Sequence, residues 1–181
     1  PENSIQAVEE CIRLGVDIIE VDTHRTLDGH VVICHDQTIN RTTNGTGDIT
    51  KMTLEQIKEL RLLERGKSRW QRLTGGTNTV TGQQIPTLEE VLDVIDGRVE
   101  LLLEIKRTKG NNKGIEQRVL DILRQHDALE YTAIQSFDDS VLFIPVPEYS
   151  LIKLHIISLL TPFFFSSAIS STFSMASSQA E

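Results

Sequence analysis

Apolar and polar positions divide the first 140 residues into short alternating blocks. Ala7, Val8, Cys11, Ile12 and Leu14 recur at helical spacing behind the candidate caps Asn3 and Ser4, and Gly15 stops the run; this predicts a helix over 3–14. Val16 to Asp22 is short and β-branched and predicts a strand. Leu27-Asp28-Gly29 reads as a turn, and Val31 to Cys34 as a second strand ending at His35. Residues 36–52 read as a loop. Thr53-Leu-Glu-Gln56 and Thr87-Leu-Glu-Glu90 have the capping-box pattern, opening helices to about Leu63 and Ile95. Between them, 64–85 reads as a long polar loop containing Gly75-Gly76. A strand over 99–105, a helix over 112–126 and a strand over 131–135 complete the rhythm.

Strands with near-continuous apolar runs, alternating with helices, predict a parallel sheet covered by helices. An open doubly wound sheet and a closed (β/α)8 barrel both fit. No Gly-x-Gly-x-x-Gly follows a strand, which lowers the weight of the dinucleotide-binding version. In either fold the chemistry gathers where strands end at their carboxyl side. That directs attention to Glu20, Asp22, His35, Glu104, Lys106 and Ser136.

Composition alters this picture at one place. All six Phe lie at or beyond position 137, and residues 141–181 hold three charged residues, Glu148, Lys153 and Glu181. The chemistry is therefore expected before about residue 140. The net charge of −8 argues against a nucleic-acid partner. Cys11 and Cys34 are too few for a disulfide framework and have no metal-thiolate spacing. Leu151–Phe165 is apolar but shorter than a membrane span, and Lys153 and His155 interrupt it. Contact of this segment with a membrane is the disfavoured reading, and a cytoplasmic location the favoured one.

Two strands carry paired polar residues of one parity. Glu20 and Asp22 share a face, and two carboxylates in one space repel unless a cation or a shared proton intervenes. An oxygen-only pair suits Mg²⁺ or Ca²⁺; solvation at a strand end, or neutralisation by Arg25, is the alternative. Glu104 and Lys106 share a face of the 99–106 strand. A carboxylate in that apolar stretch is either paired internally with Lys106 or bound to a metal, with Lys106 free to hold a phosphate. His35 is a candidate acid/base group or a structural histidine. His24-Arg25 reads as a surface turn, and Arg41 as a loop residue that is solvated or touches phosphate.

Taken in order, these segments resemble one family. Pro1-Glu2-Asn3-Ser4, Ile19-Glu20-Val21-Asp22, Thr26-Leu-Asp-Gly29, Val31-Val-Ile-Cys-His35-Asp36, Arg41-Thr42-Thr43-Asn44-Gly45, Ile85-Pro-Thr-Leu-Glu-Glu-Val91, Leu103-Glu104-Ile105-Lys106 and Gln135-Ser136-Phe137 are similar to motifs of the glycerophosphodiester phosphodiesterases. The resemblance covers about residues 1–142. It implies a TIM barrel with a small insertion between the second strand and its helix. It also implies hydrolysis of glycerophosphodiesters to glycerol 3-phosphate and an alcohol with bound Mg²⁺ or Ca²⁺. Glu20, Asp22 and Glu104 match the metal ligands, His35 one of two acid/base histidines, and Lys106 the phosphate-side lysine. His35 is expected to act as the leaving-group acid.

The family opens with a His-Arg pair on its first strand, just ahead of the Pro-Glu-Asn segment where this sequence starts. A whole barrel takes about 250 residues. The expectation is a partial domain over 1–142, followed by a non-homologous apolar and Ser-rich tail over 143–181, with impaired activity. The alternatives are a non-catalytic remnant or interaction module of the same fold, and a glycosidase using Glu20 and Glu104 as acid and base. The glycosidase reading leaves Lys106 and His35 without a role.

Overall fold

The computed structural model describes residues 1–64, 79–106 and 114–137, and the backbone of a strand at 153–156. Helix α1 (Ile5–Leu14) starts where the Ser4 Oγ accepts from the Ala7 N–H at 3.2 Å. It ends at Gly15, whose φ of +72° is the left-handed conformation that L side chains resist. Strand β1 (Ile18–Arg25) follows. A tight turn, in which the Thr26 hydroxyl donates to Asp28 Oδ1 at 2.6 Å, returns the chain into β2 (Val31–Ile33).

A one-turn 3-10 helix (Ile49–Lys51), helix α2 (Leu54–Lys58) and a small antiparallel ribbon of β3 (Leu63–Glu64) and β4 (Thr79–Val80) come next. The expected capping boxes are both closed: Thr53 with Gln56 opens α2, and Thr87 with Glu90 opens α3 (Leu88–Ile95). Strand β5 (Glu100–Ile105), helix α4 (Ile115–Gln125), β6 (Thr132–Ser136) and β7 (Lys153–Ile156) complete the described elements.

The main sheet has the order β2-β1-β5-β6-β7. β1, β5, β6 and β7 are parallel, whereas β1 and β2 pair antiparallel. The all-parallel expectation is thus corrected at the hairpin, because the tight turn at 26–30 permits only an antiparallel return. α2 is shorter than expected, ending at Lys58 rather than Leu63: Leu62 is drawn into an extended bridge with Thr43 instead. The strand β7 falls inside the 143–181 segment, where the sequence shows no βα rhythm. Gly75-Gly76 lies outside the described residues, as does most of 143–181.

The parallel strands run in chain order, and α1, α3 and α4 all pack on one face. Ile19, Val21, Leu101, Leu103 and Ile134 project into that layer against Val8, Leu92, Ile95, Val119 and Leu123. Among the described residues the helices lie on one face only and the strand order does not reverse, the arrangement of a barrel wall; a doubly wound sheet covers both faces. The described strands make an open arc of that wall.

A second core of Val32, Cys34, Ile39, Ile49, Ile57, Leu62 and Ile85 builds a small lobe between β2 and α3. It corresponds to the expected insertion. Lys58 fastens the lobe to α3 by bonding the Glu90 carboxylate at 2.5 Å and the Ile85 carbonyl at 2.9 Å.

Candidate functional site

The face of the sheet opposite the helices carries the polar residues. The register sets Asp22 beside Glu104 and Glu20 beside Leu102, so three carboxylates reach one space from two adjacent strands. Their ligand-capable oxygens all lie within 4.8 Å of one another. Asp22 and Glu104 are 4% and 5% exposed, whereas Glu20 opens to solvent. Burial of that kind demands compensation. Lys106, one step beyond Glu104 on the same face, supplies it: its Nζ lies 2.8 Å from Asp22 Oδ1 and 2.9 Å from Glu104 Oε1.

The alternative of Arg25 as counter-ion is corrected. Arg25 has odd parity on β1 and faces away from the even-numbered acids, so Lys106 takes that place.

Among the described residues the cluster remains unbalanced toward negative charge. Burial, together with the charges of Asp22 and Glu104, raises the pKa of Glu20, against the pull of Lys106 and His35. Burial of Lys106 works against its charge, but its hydrogen bonds to Asp22 and Glu104 prevail and raise its pKa. Among the described residues one lysine faces three carboxylates, an arrangement that accepts a further cation.

Asn3 also belongs to this cluster, and sequence reasoning cast it only as a cap. Its Nδ2 donates to Asp22 Oδ2 at 2.9 Å, and its Oδ1 accepts from the Asp22 backbone N–H at 3.4 Å. Its φ of +50° is a left-handed conformation that Asn tolerates better than most residues. Ser136 has no place in the cluster: its hydroxyl donates to the Ile105 carbonyl and is fully buried.

His35 sits just past β2, with its side chain 55% exposed. Its Nδ1 is 2.7 Å from Asp36 Oδ1. Arg41, half-buried, is engaged by two carboxylates rather than simply solvated. Its Nε donates to Asp36 Oδ2 at 2.5 Å, and its Nη2 to Glu2 Oε1 at 2.6 Å. The Arg41 guanidinium, and secondarily the His35 bond, hold the Asp36 pKa down at about 2. Bonding to Arg41 likewise lowers the pKa of Glu2.

His24 corrects the sequence reading. It is the penultimate residue of β1 and 2% exposed, not part of a surface turn. Its Nε2 lies 3.3 Å from the His35 carbonyl oxygen, and burial lowers its pKa. The signal was available: His24 has the same even parity as Glu20 and Asp22, provided the strand continues past Asp22.

Among the described residues, no helix is long and apolar enough to cross a membrane.

Residues 1–144 match the glycerophosphoryl diester phosphodiesterase family. A glycerophosphodiester phosphodiesterase of Caldanaerobacter subterraneus subsp. tengcongensis is 37% identical over 139 residues, covering 76% of this chain and 53% of the relative. The human glycerophosphodiester phosphodiesterase 1 is 32% identical over 107 residues, 59% of this chain and 30% of the relative. Among solved structures, an Oleispira antarctica phosphodiesterase in complex with the product sn-glycerol-3-phosphate superposes with a TM-score of 0.68. It is 27% identical, with 86% of this chain and 60% of that chain covered. The chain spans about half the length of the first curated relatives it matches. With this match and the open barrel wall carrying its acids on one face, the chain belongs to the glycerophosphoryl diester phosphodiesterase family.

Proposed function

We propose that the chain carries the metal-binding and phosphate-binding part of a site that hydrolyses glycerophosphodiesters to glycerol 3-phosphate and an alcohol. The observation that carries this reading is the convergence of Glu20, Asp22 and Glu104 within 4.8 Å, with Lys106 on the same face. The names of the relatives support the substrate class, as does the product bound in the Oleispira structure.

The donor set is oxygen-only and acidic, which fits Mg²⁺ or Ca²⁺ held by Glu20, Asp22 and Glu104. When bound, such an ion supplies Lewis acidity and offsets the charge of the phosphodiester. The residues of the chain do the rest. Lys106 places an ammonium where a non-bridging phosphate oxygen gains charge in the transition state. Asn3 fixes the Asp22 carboxylate in the orientation the cluster needs. His35, open to solvent on one side, donates the proton that the departing alkoxide takes up.

A second reading, a non-catalytic module of the same fold, is favoured by one observation: Lys106 already satisfies Asp22 and Glu104 internally. Glycerol 3-phosphate release from glycerophosphocholine separates the two. The chain is assayed alone and extended ahead of Pro1 by the His-Arg strand of a relative. Release that requires Mg²⁺ or Ca²⁺, stops with EDTA and is lost in Glu20→Gln supports catalysis. No release from either form, in a folded protein, leaves the non-catalytic reading standing.

A further inference from the structure

The hydrogen bonds around His35 form a connected series that reaches from the first residues of the chain to the acid/base histidine. A carboxylate only accepts, so at 2.7 Å the proton between His35 Nδ1 and Asp36 Oδ1 sits on Nδ1. The neutral ring then carries its lone pair on Nε2, and the protonated ring carries its transferable proton there. Asp36 is short and half-exposed, and alone it would exchange His35 for water. Arg41 removes that freedom by occupying the other oxygen, Oδ2, at 2.5 Å.

Arg41 is itself aimed. Its planar fork gives Nε to Asp36 and Nη2 to Glu2 at 2.6 Å, a two-point grip that a lysine ammonium lacks. Glu2 arrives from the segment ahead of α1, 39 residues away in sequence from Arg41. His24 holds the backbone of the same residue, its Nε2–H donating to the His35 carbonyl at 3.3 Å.

We propose that Asp36, Arg41 and Glu2 are positioning residues, each acting through the next to hold His35 in the Nδ1–H tautomer, so that proton transfer is confined to Nε2. This rests on the reading of His35 as proton donor given above. It adds a consequence for the chain's first turn. Glu2 reaches the histidine through Arg41 while its neighbour Asn3 reaches the acidic cluster through Asp22. One short segment therefore orients both halves of the site. The low Asp36 pKa keeps the acceptor ionised across the neutral range.

The test is long-range ¹H–¹⁵N NMR of the five histidine rings in the 181-residue chain, with His35→Asn identifying the His35 signals. The wild-type His35 ring is expected in the Nδ1–H pattern. Asp36→Ala and Arg41→Met are expected to lose it, shifting His35 toward Nε2–H while the other four rings keep their patterns. Arg41→Lys keeps the charge and the aliphatic stem, so it covers the case in which Arg41→Met fails to fold; His35 is still expected to shift. A wild-type His35 in the Nε2–H pattern overturns the proposal, as does an unchanged His35 in folded Arg41 variants. Glycerol 3-phosphate release, measured on the same samples, judges the catalytic reading separately. Absent release from both the chain and its form extended ahead of Pro1 refutes that reading, while the spectrum alone decides this one.

Discussion

Lys106→Met is the most informative single perturbation of the acidic cluster. Methionine keeps the unbranched stem and its packing and removes only the ammonium that bonds Asp22 and Glu104. Both acids are at least nine-tenths buried, and the lysine side chain is 17% exposed. Deleting one partner of a buried pair costs about 3–5 kcal/mol, because the remaining charge is left without compensation. Glu20 and some solvent access soften this, so about 3 kcal/mol is expected in EDTA. At this chain length that lowers the Tm by about 6–12 °C. The loss is electrostatic, so a divalent ion should reverse it: an ion at a hundred times its Kd adds about 2.7 kcal/mol to the folded state. The assay is urea denaturation at pH 7, in EDTA and in saturating Ca²⁺ or Mg²⁺. The variant is expected to fall well below wild type in EDTA, and with the ion to recover to within about 1 kcal/mol of EDTA-treated wild type. A variant within about 0.5 kcal/mol of wild type in EDTA would refute the claim that Lys106 is the cluster's counter-ion.

Glu20→Gln has the opposite sign in the absence of metal. The raised Glu20 pKa means that its contribution to stability is fully present below 4.5 and is lost as pH rises through the folded value. Glutamine mimics the protonated form, so the variant gains a few tenths of a kcal/mol in EDTA at pH 7, discounted for solvent exposure, and loses the response of Tm to added ion. Asp36 runs the other way: its pKa falls from 3.8 to about 2, so its contribution is present above 3.8 and lost as pH falls toward 2. Wild type should lose about 1 kcal/mol across that window, after discounting for screening, and Arg41→Met, which removes the larger of the two causes and leaves His35, should lose clearly less in acid-denaturation curves. Asn3→Ala should cost about 2 kcal/mol in urea denaturation, from a charge-assisted bond and a strained left-handed residue. Asn3→Gly should restore only the backbone share, and equal stability of the two variants would remove the strain argument.

Much of the site was legible because period-two parity is strict. Glu20, Asp22, Glu104 and Lys106 could be assigned to one face of two strands before any coordinates, and the parallel register then places Asp22 beside Glu104. Three things were hidden, each for a physical reason. The extent of β1 was misjudged because Thr23-His24-Arg25 is polar and looks like a turn. Pairing with β5 runs to Thr23, and pairing with β2 over Thr23–Arg25 carries the strand on to Arg25, with His24 buried. The antiparallel hairpin is set by the tight Leu27-Asp28-Gly29 turn, which is too short for any return but an antiparallel one. The Glu2–Arg41–Asp36 series joins positions up to 39 residues apart through side chains alone, and no local pattern reports such a contact.

Glu20, Asp22 and Glu104 are proposed to form one divalent-cation site. Calorimetric titration of the metal-stripped chain with Ca²⁺ or Mg²⁺ tests it most directly. One ion bound per chain is expected, with binding lost in Glu20→Gln and in Asp22→Asn while both variants remain folded. A wild-type chain that binds no ion, or variants that bind as wild type does, would contradict it.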